Sequence, residues 1–140
     1  MTLLLSALAH PLRIGAVAPS SSKVASTFAA LVQGRRPVVE LGGGDGCISR
    51  ALLGVCSPDD LTVLELDPIL HQQLAKTLPC RVLRADAAEL RSVLGARPEV
   101  IVSTIPLRVM PADVAGALGS ACAAVLAPGG VLLQICYDIV

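Results

Sequence analysis

The chain is poorest in aromatic surface: it contains no tryptophan, and Phe28 and Tyr137 are its only Phe or Tyr. Two rings cannot build a platform on which bases stack. Charge is also scarce. Eleven Lys and Arg balance eleven Asp and Glu, so the sequence offers no clustered basic surface to neutralise a phosphate backbone. Both shortages argue against nucleic acid as a partner. His10 and His71 stand alone, with no ligand partner at helical spacing. The cysteines, Cys47, Cys56, Cys80, Cys122 and Cys136, are odd in number and never approach C-x-x-C, which excludes a paired disulfide framework and a zinc or redox pair. Lying mostly in apolar runs, they are expected to be buried free thiols in a reducing, cytoplasmic compartment.

What is abundant is apolar side chain, 54% of 140 residues, which excludes disorder and fits one domain rather than two. Two stretches raise the question of a membrane. Residues 1–9 resemble the apolar core of a signal peptide but have no basic residue ahead of them. A helix packing on the domain and a helix lying on a membrane surface both remain open for this segment. Between Val114 and Tyr137 there is no charge, but Pro128-Gly129-Gly130 interrupts the run, which therefore reads as a helix, a turn and a buried strand.

Along the chain, short β-branched runs alternate with longer helical patterns, the signature of a parallel sheet in an α/β domain. Ser20-Ser21-Ser22 supplies cap oxygens for a helix over about 22–33, which Gly34 ends. Strands are predicted at 37–41, 61–66, 81–84, 100–103 and 130–137, and helices at 47–53, 68–78, 87–94 and 112–126. Right-handed crossovers give a doubly wound sheet with strand order 3-2-1-4-5. Ligands of such sheets bind at the carboxyl ends of the strands, beside the switch between strands 1 and 4.

The first strand ends in Glu40-Leu41-Gly42-Gly43-Gly44-Asp45-Gly46. A loop without side chains lets a ligand touch backbone near the amides of the next helix; a merely structural tight turn is the plainer reading. The spacing is G-x-G-x-G, because the last glycine of a dinucleotide fingerprint would fall on Cys47, and no Lys-Ser/Thr pair follows as a P-loop requires. Glu65, at the end of strand 2, stands where an acid accepts hydrogen bonds from both ribose hydroxyls of an adenosine; the alternative is a solvated carboxylate. Asp86, directly after strand 3, is placed to take an adenine amino group, with the Ala87 N–H available to a ring nitrogen, and it is equally a helix cap. Glu40 would orient the loop, or a cofactor ammonium through water.

Glycine loop, Glu65 and Asp86, in order and each at a strand end, resemble the class I S-adenosylmethionine-dependent methyltransferases, with a Rossmann-like sheet. Further segments narrow the likeness: Gly15-Ala16-Val17-Ala18-Pro19-Ser20-Ser21, Val63-Leu64-Glu65-Leu66-Asp67-Pro68, Val102-Ser103-Thr104-Ile105-Pro106 and Gln134-Ile135-Cys136-Tyr137 are similar to the bacterial phospholipid N-methyltransferases, relatives of the ribosomal RNA adenine dimethylases. The resemblance implies S-adenosyl-L-methionine as cofactor, held by Glu40, Gly42, Gly44, Gly46, Glu65, Asp86 and Ala87. It further implies phosphatidylethanolamine as methyl acceptor at the inner membrane surface, with an RNA adenine or a small amine as the alternative and a non-catalytic association domain as a third reading. Ser103 and the carbonyls of Thr104 and Ile105, with Pro106 shaping the turn and Tyr137 facing the same pocket, would hold the amine. Ser103 and Leu107 stand where adenine methyltransferases carry an Asn and a stacking ring.

The chain departs from the group in carrying Gly43 and Asp45 where Pro and Thr are usual, and Asp138 where Gly is. It also stops after strand 5, where the group continues through two further strands that complete the sheet. An unpaired edge over 130–137 is expected to drive self-association.

Overall fold

The computed structural model describes residues 22–136. Five parallel strands form one sheet: β1 (Val38–Leu41), β2 (Leu61–Leu64), β3 (Arg81–Leu83), β4 (Val100–Ser103) and β5 (Val131–Gln134), in the order β3-β2-β1-β4-β5. The expected topology is therefore present. The central strands β1 and β4 are buried along their whole length, which accounts for their continuous apolar runs. Edge strands β3 and β5 are half-exposed, and β5 carries no further strand on its outer side among the described residues, the feature on which expected self-association rests.

Strand alternation sorts the core into two layers. Val38, Val63, Val100 and Val102 pack with Phe28 and Val32 of α1 (Ser22–Val32), Ile48 and Leu52 of α2 (Cys47–Leu52), and Leu74 of α3 (Pro68–Thr77). Val39, Leu41 and Ile101 face the other way, onto Leu90 of α4 (Leu90–Val93) and Leu118, Cys122 and Val125 of α5 (Ala112–Val125). Each fully buried Leu, Ile or Val contributes about 1.5–3 kcal/mol by leaving water. The uncharged run after Val114 is α5, a turn and β5, and no helix of the described residues is long and apolar enough to cross a membrane.

The structure shortens several elements. β2 stops at Leu64: Glu65 still donates its amide to the Leu83 carbonyl at 3.0 Å, but the chain then turns so that Asp67 accepts the Ile69 and Leu70 amides and caps α3. The helix expected over 87–94 is a 3-10 turn, Ala87–Glu89, followed by the single turn α4. All five cysteines are free, yet only Cys122 is buried, with its thiol pushed up to about 11 by burial. Cys47 opens α2 and Cys136 lies past the end of β5, so burial of the thiols as a set is corrected.

Candidate active site

Between β1 and α2 the chain reverses through three left-handed glycines, Gly42 (φ 79°), Gly44 (φ 57°) and Gly46 (φ 83°), which is why glycine recurs at every second position. Gly43 is glycine for a different reason. A Cβ there would lie 2.6 Å from Val63 Cγ1 and 2.7 Å from Leu74 Cδ1, so β2 and α3 occupy the volume of the missing side chain. Overpacking a β-branched strand residue costs about 1–3 kcal/mol. We therefore expect Gly43→Ala to lower the unfolding free energy by that amount, read as a fall in the urea midpoint at unchanged slope, and an unchanged midpoint would show that Val63 and Leu74 yield freely.

Two carboxylates underlie the loop. Glu40 is wholly buried, its Oε2 accepting the Ser49 hydroxyl of α2 and its Oε1 meeting no partner. Burial pushes its acid up to about 8, against the lowering by the Ser49 hydrogen bond, and Glu65 and Asp45 push it the same way. Glu65 is 2% exposed, and Oε2 accepts the Gly44 amide at 3.0 Å while Oε1 accepts the Asp67 amide at 3.2 Å. Its acid is raised by burial, which outweighs these two amides. Neither carboxylate has a Lys or Arg partner among the described residues. Asp45 stays outside, accepting the Cys47 amide at 2.9 Å, while its carbonyl holds Arg50.

Beside Glu65 opens a shallow cleft lined by Gly42, Leu64, Glu65, Leu66, Ala85, Ala87 and Ile105. It stands at the carboxyl edge of the sheet, where β1 meets β2 and β4, and its walls are apolar with one acid, the usual composition of a small-molecule site. Asp86, between two lining alanines, accepts the Ala88 amide at 2.9 Å through Oδ1 and so caps the turn after β3. Its cap role is thus filled with one oxygen. The sequence reading missed Leu64, Leu66 and Ala85, whose signal was only adjacency to Glu65 and Asp86. Glu40, Gly44, Gly46, Asp86, Ser103 and Pro106 do not line the cleft, and Tyr137 lies outside the described residues.

The segment after β4 holds its polar groups differently from the sequence expectation. The Ile105 carbonyl is not free for an amine hydrogen: it accepts Gln134 Nε2 at 2.7 Å and the Leu107 amide at 2.8 Å, filling both lone pairs. Ser103 is 1% exposed and turned inward, its Oγ accepting the Ile105 amide at 3.3 Å, so it shapes the segment instead of facing a substrate. Thr104 Oγ1 donates to the Gly42 carbonyl at 3.1 Å and ties the segment to the glycine loop.

No protein-family model matches the chain. The ornithine lipid N-methyltransferase of Singulisphaera acidiphila is 31% identical over 137 residues, covering 90% of this chain and 71% of that protein. The mycinamicin-resistance protein MyrB of Micromonospora griseorubida is 41% identical over 73 residues, 52% of this chain and 23% of its own length. Among solved structures, an amino pentose methyltransferase from Micromonospora echinaspora with bound S-adenosylmethionine matches 93% of this chain and 56% of its own, with a TM-score of 0.72. A sugar N-methyltransferase from a Streptoalloteichus species matches 84% of this chain and 48% of its own at a TM-score of 0.68. At 19% and 18% identity these two establish the fold. The lipid methyltransferase spans nearly the whole chain, including the glycine loop, Glu65 and the segment after β4. The chain belongs to the class I S-adenosylmethionine-dependent methyltransferases.

Proposed function

We propose that this chain transfers a methyl group from S-adenosylmethionine to the amine of a lipid headgroup, with phosphatidylethanolamine as the acceptor and a membrane surface as the place of reaction. The residues at the cleft suit the cofactor. Glu65 has a second lone pair on each oxygen for two ribose hydroxyls, and Leu64, Leu66, Ala85 and Ala87 offer apolar walls to the adenine. When bound, the donor supplies a methyl already activated on a sulfonium, so no nucleophilic side chain is required.

What remains for the protein is alignment. The Thr104 carbonyl accepts one amine hydrogen and thereby aims the nitrogen lone pair. The lipid ammonium must first lose a proton to solvent to expose that lone pair; transfer would then form the N–C bond as the C–S bond breaks, leaving S-adenosylhomocysteine and a methylated ammonium that gives up a proton to solvent in turn. Holding the reactants in line is the larger part of such catalysis.

The observation that carries the lipid reading is the aliphatic Leu107 at the acceptor segment. Phe28, the one Phe, Tyr or Trp among the described residues, lies in the opposite core layer, while Leu107 stands beside the acceptor segment. A flipped base would meet Leu107 at that segment instead of a stacking ring. Apolar exposure supports a membrane surface: Ile69, 60% exposed at the start of α3, and Val109, 54% exposed after β4, stand on the cleft's edge of the sheet. The name of the lipid methyltransferase relative points the same way.

The test is transfer of a labelled methyl to vesicles containing phosphatidylethanolamine, to vesicles containing ornithine lipid, and to ribosomal RNA. Label is expected in the phosphatidylethanolamine fraction. Label confined to ornithine lipid would move the substrate, and label in RNA would overturn the lipid reading.

A further inference from the structure

We propose that Gln134 is a positioning residue for methyl transfer: it grips the Ile105 peptide from β5 and so fixes the segment that presents the acceptor amine. The proposal rests on the transfer reaction proposed above. Gln134 ends β5 in register with Ser103 of β4. By strand alternation its side chain shares the face of Leu132, the side onto which Ser103 also turns. Its Nε2 donates to the Ile105 carbonyl at 2.7 Å and to the Ile135 carbonyl at 2.8 Å. Both partners are acceptors, so the amide has one orientation, with nitrogen toward them and oxygen away.

That orientation leaves Gln134 Oε1 buried with no partner. A buried orphan acceptor is costly, and an aliphatic residue, such as the Val131, Leu132 and Leu133 before it, would avoid the cost. The glutamine is therefore not explained by stability. It is explained by what the nitrogen holds. The peptide from Thr104 to Ile105 is fixed at its N–H by Ser103 Oγ, and the next peptide is fixed at its carbonyl by Gln134. Peptide planarity does the rest: the Thr104 carbonyl is anti to the Ile105 N–H, so it points away from Ser103. With Thr104 Oγ1 on the Gly42 carbonyl, the acceptor segment is tied to both the cofactor loop and β5.

Two substitutions test this. Gln134→Leu removes the donor together with the orphan oxygen, and Gln134→Glu keeps the shape but cannot donate to Ile105. Hydrogen exchange should quicken about tenfold at the Leu107 amide in both variants, because its acceptor is released, and stay unchanged in β1 and β2. Calorimetric affinity for S-adenosylhomocysteine should stay within about twofold, while kcat for lipid amine methylation falls about 10- to 100-fold at an unchanged KM for S-adenosylmethionine. A purely structural glutamine would move the unfolding midpoint and leave that split absent. Exchange at Leu107 within about twofold of wild type would overturn the proposal. If the wild type methylates no lipid amine, the function proposed above fails, and the exchange experiment still decides whether Gln134 holds the segment.

Discussion

Glu40→Gln stabilises the protein at pH 8 by about 4–5 kcal/mol and removes most of the pH dependence of its stability between pH 5 and 8. The expectation follows from the one fully buried acid, raised from 4.5 to about 8 chiefly by burial, and from about 1.4 kcal/mol per unit of difference. Glu40 binds its proton more tightly in the folded than in the unfolded chain, so the folded state carries more protons throughout this window. Stability is full below about pH 4.5 and falls as pH rises towards about 8. Glutamine mimics the protonated acid. It keeps an acceptor for the Ser49 hydroxyl and brings no charge into a site where Glu65 and Asp45 already oppose one. Urea unfolding of both proteins at several pH values measures the effect: the wild-type curve should slope downward while that of the variant is flat, apart from the smaller slope of Glu65, which is also raised. Parallel slopes would mean that Glu40 is ionised at little cost.

An acid this poorly placed for stability, under a glycine loop that a cationic ligand approaches, is the kind of local conflict that marks a functional site. At pH 8 and above, where Glu40 is charged, the glutamine variant should therefore gain stability and lose affinity for the sulfonium cofactor relative to its neutral thioether product. Both effects come from one missing charge.

The sheet was legible because β-branched runs and helical patterns alternate strictly, and the switch between β1 and β4 then followed from topology. Gly42, Glu65, Ala87 and Ile105 converge on one cleft because each stands at a strand's carboxyl end, a place that order along the chain reveals. What stayed hidden depends on distant partners. Gly43 is required by Val63 and Leu74, 20 and 31 positions away, and nothing in the loop announces it. The filling of the Ile105 carbonyl by Gln134 depends on the β4–β5 register, and reading the segment alone left that carbonyl free. Glu40 looked like an acid beside the loop; its burial is set by Ser49 and α2 packing over it. Propensity fixes elements, but the polar pairing between them is a tertiary property.

Glu65→Ala lowers the affinity for S-adenosylmethionine and S-adenosylhomocysteine at least about 100-fold, close to 3 kcal/mol. Glu65 is the one ionisable group lining the cleft, and each of its oxygens is turned by an amide, Gly44 on one and Asp67 on the other. A carboxylate oxygen accepts more than one donor, so the amides aim the free lone pairs without consuming them. Two ribose hydroxyls donating to a charged, nearly dry acceptor make charge-assisted bonds of the stronger kind. Alanine removes both and also orphans the Gly44 amide, which loosens the loop over the ligand. The two contributions separate by comparing S-adenosylhomocysteine with its 2′-deoxy analogue. Wild type should prefer the hydroxylated ligand about tenfold or more, whereas Glu65→Ala should bind the two equally if the side chain reads the ribose. Because burial raises the Glu65 acid, affinity should also fall as pH drops through its raised titration, since the protonated form surrenders an acceptor lone pair and its charge. An unchanged preference for the hydroxylated ligand in Glu65→Ala would leave the carboxylate only as an anchor for the loop and move ribose recognition to another group.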